Sequence, residues 1–467
     1  MKRSAHPAGA KTNERLPLIF AGLFGGFLGL TLLKFGNPPI MERWVSVPTQ
    51  VYEFVFGYPW PITWAYWMLA LLGVVGVAVA RWRSTVPRWL IALPLVWLAW
   101  EFLAGSQSVD AGLTAQVLKH FGACVLCFYL GLFSLSRLAR PWPFWAGLLC
   151  GLVLVLLAGW EQHSGGLQET RTYFYTYLYP QMKEVPPEYM NRISSNRIWG
   201  TLFYPNALAG VLLLVLPAML AAIWETRRRL TAPARGLLMA MLGAAGMVCL
   251  YWSGSKGGWL LMLLLGLIVM LRLPFRKQFK VVLIAAVLLA GSAGFLWKYS
   301  GFFQKGATSV VARFDYWRAA LQTTGEKPFF GTGPGTFAIA YAKIKRPESE
   351  MSRLVHNDYL QQASDSGVAG CAAYALFIVG AMVWSFKRGI GASAALDRTD
   401  HWGELPKDWL GFAVWLGLLG WSLQSFVEFG LYIPALAWPA FAFLGWLLGR
   451  SQLAWTSPPG PPKVPSE

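Results

Sequence analysis

A single histidine, His356, stands where a polar stretch of the sequence meets an apolar one. Residues 299–357 carry eight lysines and arginines against four acids, and an apolar run begins at residue 364. Imidazole titrates near neutral pH and can accept a proton from a hydroxyl group, and a surplus of cations favours an anionic ligand. The segment predicts a site for an anionic, lipid-borne substrate at a membrane surface. A purely structural histidine is the alternative interpretation.

Two polar residues flank the start of another apolar stretch. Arg197 lies just before this stretch, and Asn206 lies one to two helical turns inside it. Polar groups at that depth of a membrane are costly and usually face the interior of the helix bundle. Both residues are therefore candidates for contact with a substrate.

Further candidates lie in a tight turn and in the basic loop. The turn at residues 251–259 offers Ser255 and Lys256, although a plain hairpin explains its glycines equally well. In the loop, Arg313 and Trp317 are one turn apart on one face of a short amphipathic helix. The glycine run at residues 331–335 follows no strand and precedes no clear helix start, so it is discounted as a nucleotide-binding fingerprint.

The composition predicts an integral membrane protein. Of the 467 residues, 55% are hydrophobic and only 13% are charged, whereas soluble domains are about a quarter charged. Apolar stretches long enough to cross a bilayer recur along the chain. The formal charge of +18 is explained mainly by the excess of basic residues in cytoplasmic loops, so nucleic-acid binding is not expected.

Hydropathy predicts an all-α polytopic fold with about twelve transmembrane helices and two long extracytoplasmic loops. The predicted spans are residues 16–36, 58–80, 86–104, 113–135, 142–161, 201–223, 234–254, 257–272, 280–298, 364–386, 408–427 and 431–449. With both termini in the cytoplasm, the lysines and arginines grouped at residues 81–88, 137–140, 227–235, 272–280 and 387–388 all fall on the cytoplasmic side. The first span is predicted to be retained, since no clear signal-peptide cleavage site follows it. Its glycines, Gly22, Gly25, Gly26 and Gly29, predict close helix packing.

Four other polar or reactive residues lie in predicted span four. Cys124 and Cys127 have a spacing shared with metal and redox sites, but packed small side chains are the favoured interpretation because no second pair accompanies them. Lys119 and His120 are the charged or titratable residues that come closest to lying deep in a predicted span. Lys119 could extend its ammonium to the outer interface.

Taken in order, four motifs resemble the O-antigen ligase and polymerase superfamily of bacterial envelope enzymes. They are Arg-x-x-Gly-Thr-Leu-x-x-Pro-Asn-x-Leu-Ala at 197–209, Ser-Gly-Ser-Lys-Gly at 253–257, Arg-x-x-x-Trp followed by the glycine run at 313–337, and His-Asn-x-x-Leu-Gln ending in Gly-x-x-Gly at 356–370. Lys256 departs from the arginine that is more common in the family, which keeps the charge but loses bidentate geometry. The resemblance covers about residues 197–385.

The resemblance implies a GT-C-like architecture and an inverting, metal-independent glycosyl transfer on the periplasmic face of the bacterial inner membrane. The donor would be a glycan on undecaprenyl diphosphate, and the acceptor a hydroxyl group of lipid A-core or of another glycan. Carried over by position, the catalytic residues would be His356, Arg313 and Arg197. Possible substrate contacts are Arg318, Lys256, Asn206, Asn357 and Gln361. Arg318 could instead pair with Asp315. No cofactor is implied, and neither long loop contains an Asp-x-Asp metal motif.

The predicted organisation places five spans in residues 1–161 and a first periplasmic loop in 162–200. A ligase-related core, with a large periplasmic loop at 299–363, occupies 201–386. The last two spans and a cytoplasmic connection occupy 387–450. The proline-rich tail at 451–467 is predicted to be disordered.

Three other functions remain open on the sequence alone. A polymerase of the same superfamily shares these motifs. A transporter shares the span count, but the polar residues concentrate in two loops on one side and no internal repeat is visible. A flippase for the lipid-linked sugar would need charged residues deep in several spans.

Overall fold

The structure is a computed structural model that describes residues 15–56, 59–181, 190, 193–202, 204–273, 275–304, 308–390 and 408–450. Helices dominate this part of the chain, and no β-strand occurs within it. The all-α fold class is thereby confirmed. The predicted disordered tail, at residues 451–467, and most of the basic N-terminus lie outside the described residues.

Fourteen longer helices organise the described residues. In chain order they are α1 Arg15–Lys34, α2 Ile62–Val79, α3 Arg88–Gly105, α4 Ala111–Tyr129, α5 Trp142–Glu161, α6 Pro205–Trp224, α7 Ala232–Ser253, α8 Lys256–Arg272, α9 Lys277–Gln304, α10 Thr308–Glu326, α11 Phe337–Ile344, α12 Asp358–Ser385, α13 Trp409–Gln424 and α14 Pro434–Arg450. Each predicted span coincides with one of these helices. The additional helices, α10 and α11, lie in the predicted large loop.

Membrane crossing is supported by the length and composition of nine helical segments in the described part of the chain. Three further helices at predicted spans, α8, α13 and α14, have 17, 16 and 17 residues. The chain is therefore a polytopic helical membrane protein. The total of twelve spans and the orientation of the termini remain predictions.

Helix starts near the predicted motifs are fixed by short polar side chains. The side chains of Asp110, Ser255 and Asn357 each accept a hydrogen bond from the backbone N–H three residues later, at 3.0, 3.2 and 3.0 Å. The first N–H groups of a helix have no partner inside the helix, so such caps stabilise its start. Two of these caps, at α8 and α12, hold helix starts that carry predicted site residues.

The glycines of α1 allow close packing against α5. A methyl group at Gly29 would lie 2.6 Å from the backbone oxygen of Gly147 and 3.4 Å from the Cα of Gly151. Only a residue without a side chain permits this approach of two backbones. The predicted use of the small-residue pattern is confirmed at this position.

Burial differs sharply between the helices. Every residue of α14 from Pro434 to Gly449 is buried, which makes α14 a central helix of the bundle. By contrast, no residue in the apolar window of α9 is buried. The main packing partner of α9 is α8, so α9 lies at the edge of the described bundle.

Several helices are longer than hydropathy predicted. Helical structure continues beyond α5 to Gln181, with a break at Gly165, so the predicted first loop begins as a helical extension. Similarly, α9 runs to Gln304, and α12 begins at Asp358, six residues before its predicted start at residue 364. Hydropathy detects only the apolar part of a helix, whereas backbone hydrogen bonding continues into polar turns.

The glycine run supports the start of α12. Gly331, Gly333 and Gly335 have φ values of 62°, 104° and 79°, which favour glycine. The N–H groups of Gly333 and Gly335 donate to the backbone oxygen and a side-chain oxygen of Asp365, both at 2.8 Å. Because these N–H groups bond to Asp365, the glycine run holds its loop against α12; we call it the glycine clamp. It does precede a helix, α11, contrary to the sequence interpretation.

Buried charged and titratable groups are more numerous than predicted. His120 is fully buried; its Nδ1 accepts from the Trp438 indole at 3.1 Å, and its Nε2 is 2.8 Å from the Leu431 oxygen. Glu101 and Asp365 are also fully buried. Glu101 and Asp365 lie near the ends of predicted spans 86–104 and 364–386, and hydropathy, which reports apolar length, does not reveal that these carboxylates are buried. Lys119 itself is exposed.

Candidate active site

One carboxylate, Glu428, joins residues from distant parts of the chain. Its Oε1 accepts hydrogen bonds from the guanidinium of Arg313 and from the side-chain amide of Asn206, the latter at 2.6 Å. Its Oε2 accepts from the Tyr204 hydroxyl at 2.6 Å and lies 3.2 Å from Nδ1 of His356. We call these five residues the Glu428 cluster. It contains two of the three predicted catalytic residues.

Four elements position the five members of the cluster. Tyr204 and Asn206 flank the first residue of α6, Arg313 lies in α10, and His356 precedes the cap of α12. Glu428 lies in the connection between α13 and α14. Helix starts and connections thus meet at one end of the bundle, where polar groups can be satisfied.

The third predicted catalytic residue, Arg197, adjoins the cluster. Its Nη2 donates to the side-chain oxygen of Asn206 at 2.8 Å, and its Nε donates to the backbone oxygen of Ser253 at 2.7 Å. Burial lowers the pKa of Arg197, and the nearby Glu428 carboxylate opposes that shift. The predicted residues 197, 313 and 356 therefore surround one site.

The electrostatics of the cluster keep Glu428 ionised. Burial alone would raise the pKa of this carboxyl, but the Arg313 guanidinium and then the hydrogen bonds from His356 and Tyr204 outweigh it, and the pKa is lowered to about 2. Burial and the adjacent carboxylate raise the pKa of Tyr204. At neutral pH the cluster thus has an anionic carboxylate and a neutral phenol that donates to it.

The proton arrangement of His356 follows from its partner. An ionised carboxylate has no proton to donate, so Nδ1 of His356 must be the donor to Glu428. In a neutral ring the lone pair then lies on Nε2, which makes no hydrogen bond in the described part of the chain. The side chain of His356 is 25% exposed, against 7% for Glu428. The His356 ring therefore contacts a buried anion through Nδ1 and is itself partly exposed.

The backbone and ring of His356 are held in place. Its φ of 55° is the only positive value of a non-glycine residue in the described chain, a conformation that is uncommon for such residues. The Phe429 ring packs edge-on at a centroid distance of 4.7 Å, and the Tyr316 ring stacks at 5.8 Å. Strained backbone of this kind is retained where the surrounding structure enforces it, often at functional sites.

Two predicted substrate contacts have structural partners instead. The side chain of Asn357 caps α12 through the N–H of Leu360. Gln361 is fully buried, accepts from the N–H of Val355 at 2.7 Å and donates to Asp365 at 2.8 Å. Both side chains support the His356 segment from inside, so direct contact of either with a substrate does not fit this geometry.

Of the remaining predicted substrate contacts, Lys256 lies near the site and Arg318 lies at the protein surface. Lys256 is the first residue of α8, and its ammonium group is repelled by the positive charges of Arg197 and Arg313. Arg318 is exposed and lines a separate small pocket with Asp315 and Ser349. Since helix residues rotate by about 100° each, the five-residue step from Arg313 directs Arg318 to another face. Of the two interpretations left open for Arg318, its place beside Asp315 fits the alternative to a role in the cationic site.

Sequence reasoning missed Glu428 and Tyr204. One signal for Glu428 was present, since it is the only acid between predicted spans eleven and twelve. Tyr204 gave no distinctive signal among the many aromatic residues near predicted span ends. Among the described residues, no group of three or more histidine, cysteine or acidic side chains is placed to hold a metal ion.

Comparison with known families gives a match within the central part of the chain. Residues 244–375 match the family model described as O-antigen ligase. Over this segment the chain is similar to the O-antigen ligase family. No curated protein matches the chain.

The O-antigen ligase match covers only part of the site. It includes Lys256, Arg313 and His356, together with the glycine clamp. Arg197 and Glu428 lie outside the matched segment, on its N-terminal and C-terminal sides. The structure therefore brings residues from both sides of the matched segment into the site.

Proposed function

We propose that this protein transfers a glycan from a lipid diphosphate, undecaprenyl diphosphate in bacteria, to an acceptor hydroxyl group. The observation that carries the proposal is the Glu428 cluster, in which an accessible imidazole and an arginine share one buried carboxylate. Such a pairing can accept a proton on one side and stabilise an anion on the other. The similarity of residues 244–375 to the O-antigen ligase family supports lipid-linked glycan and acceptor substrates.

On the donor side, two arginines have unused hydrogen-bonding capacity. A guanidinium carries five N–H donors. Within the described residues, Arg197 uses its Nε and one Nη2 proton, and Arg313 uses Nε, one Nη1 and one Nη2 proton. The remaining donors can bind the oxygens of a diphosphate and stabilise the charge that develops as it leaves.

On the acceptor side, His356 serves as the general base. The acceptor oxygen attacks the anomeric carbon of the donor sugar, the bond from that carbon to the diphosphate oxygen breaks, and the acceptor proton moves to Nε2. Glu428 hydrogen-bonds Nδ1 and stabilises the imidazolium that forms. A single displacement of this kind inverts the anomeric centre, and no step in it requires a metal ion.

The location of the reaction follows from charge asymmetry. We place the site on the periplasmic face of the inner membrane, with both termini in the cytoplasm, because basic residues of the short loops then lie on the cytoplasmic side. Donor lipid and acceptor would both be membrane-borne.

A polymerase that transfers the glycan to another glycan is the second candidate, since the same chemistry serves both reactions. The composition of lipopolysaccharide in a deletion strain separates the two. Loss of all attached glycan indicates a ligase, whereas attachment of single repeat units indicates a polymerase.

The biochemical test uses the full-length protein in proteoliposomes with a lipid-linked glycan donor and an acceptor. Replacement Arg313→Ala should weaken both donor binding and product formation, because the diphosphate is anionic before and during transfer. Arg318→Ala, on another face of the same helix, is the matched control and should retain activity. Equal activity of the two variants, or no transfer by the wild-type protein, would contradict the proposal.

A further inference from the structure

Two neighbouring residues near the end of α9, Lys298 and Tyr299, lie beside the candidate site. The ammonium of Lys298 donates to the backbone oxygen of Tyr251 and lies 2.9 Å from the centroid of the Tyr251 ring. The positive charge of Arg197 interacts electrostatically with Lys298 and with Tyr299. The end of α9 therefore belongs to the same electrostatic environment as the donor-side arginines.

Three cations converge around the Tyr299 ring. The ammonium of Lys256 is 5.2 Å from the centroid of this ring, and that of Lys298 is 6.0 Å from it. Arg197 interacts electrostatically with both lysines and with Tyr299. Positive charges gathered around one ring repel one another, and an anion bound between them would relieve the repulsion.

The hydroxyl group of Tyr299 supplies an independent sign of a ligand. Tyr299 is only 6% exposed, and its hydroxyl has no hydrogen-bond partner among the described residues. A buried hydroxyl without a partner is unfavourable and uncommon. An oxygen of an anion held by the adjacent cations would satisfy it.

The position of α9 indicates which part of a substrate would reach these residues. Leu289, Leu296 and Trp297 of this helix are 73%, 60% and 77% exposed, and α8 is its main packing partner. This edge is open to a lipid-borne molecule that diffuses in the bilayer. His356, which lies in the Glu428 cluster, would meet the sugar.

We propose that Lys298 and Tyr299, together with Lys256, form a second oxyanion subsite that binds the lipid-bearing phosphate of the donor diphosphate. Arg313, which shares Glu428 with His356, then faces the phosphate attached to the sugar. This inference rests on the proposed function and adds the residues that distinguish a diphosphate lipid from a monophosphate lipid.

The test measures binding of undecaprenyl diphosphate and undecaprenyl monophosphate to the full-length protein in nanodiscs. Lys298→Gln should weaken binding of the diphosphate about tenfold, the effect of losing one charge-assisted hydrogen bond, and should reduce the preference for diphosphate over monophosphate. Tyr299→Phe, which removes only the hydroxyl, should weaken diphosphate binding about threefold. Lys280→Gln, at the other end of α9, is the control and should bind like the wild type.

The outcomes separate this inference from the proposed function. Weakening in Lys298→Gln and Tyr299→Phe, but not in Lys280→Gln, supports the subsite. If Arg313→Ala weakens diphosphate binding while both subsite variants bind like Lys280→Gln, the subsite is wrong and the proposed function stands. If the wild-type protein does not bind the diphosphate at all, both are wrong. Should Lys298→Gln fail to fold, Tyr299→Phe alone decides the matter.

Discussion

Two carboxylates, Glu428 and Asp365, gather hydrogen-bond donors from distant elements, but their partners differ. Glu428 binds an arginine, a histidine, a phenol and an amide, and two of these side chains keep measurable exposure. Asp365 is fully buried and accepts from a backbone N–H, an amide and a phenol, of Gly335, Gln361 and Tyr432. The partners of Glu428 include charged, partly exposed side chains, whereas the partners of Asp365 are uncharged and buried.

The difference teaches how one residue type serves chemistry and architecture in the same bundle. Partners that are cationic or titratable can respond to a charged substrate, so a carboxylate that holds them can tune a reaction. Partners that are neutral and buried can only fix the geometry of the chain. The Glu428 cluster is accordingly the candidate site, and Asp365 is its support.

The largest expected effect on the transfer rate comes from replacing the proposed general base, His356. His356→Ala should cut transfer by about 10²–10⁴-fold, because general-base assistance contributes on that order. Binding of the lipid-linked donor should change little, since the imidazole faces the acceptor. Single-turnover transfer and donor binding, measured separately in the reconstituted protein, check both parts. Full activity would leave His356 as a structural residue only.

The next effect concerns the carboxylate in the site. Glu428→Gln should lower transfer by about 10–100-fold, as expected for losing a hydrogen bond to a charged partner, because the imidazolium formed during transfer is no longer stabilised. The amide keeps much of the shape, so the protein should remain folded. Transfer rates normalised to folded protein test this. An unchanged rate would remove Glu428 from the mechanism.

The supporting carboxylate should behave in the opposite way. Asp365→Asn should destabilise the protein by about 1–3 kcal/mol, the cost of an unmatched buried polar group, because an NH₂ group would replace the buried Oδ1, which has no hydrogen-bond partner among the described residues. Transfer per folded molecule should stay near the wild-type value. Thermal unfolding in detergent and normalised transfer rates distinguish this result from a catalytic role.

The smallest expected effect is on acid stability. The pKa of Glu428 is lowered from 4.5 to about 2 in the folded protein, so its ionisation contributes stability above pH 4.5 that is lost as the pH falls towards 2. The melting temperature should therefore decline over this window, and the decline should be smaller in Glu428→Gln. Parallel declines in the two proteins would contradict the assigned pKa.

Much of the fold could be predicted from the sequence because apolar helices dominate it. The twelve apolar segments all coincide with helices, and the family motifs identified Arg197, Arg313 and His356. Helix ends such as the start of α12 at Asp358 could not be placed, since hydropathy does not register polar turns. The separation of Arg318 from Arg313 depends on how α10 packs, which spacing alone does not determine.

Glu428 shows most clearly what sequence reasoning lacks. Its function depends on contacts with Tyr204 and His356, which are 224 and 72 residues away along the chain. A lone acid in a short connection gives no indication of those partners. Long-range pairing in a helical bundle comes from packing, which no local pattern encodes.

The most direct test of the account is a double-mutant cycle on His356 and Glu428, measured as the transfer rate of the reconstituted protein. If the two side chains act as one unit, the double variant His356→Ala with Glu428→Gln should be no slower than His356→Ala alone. That result would show that Glu428 acts in transfer through the imidazole. Losses that multiply in the double variant would contradict the account, because the carboxylate would then act independently of His356.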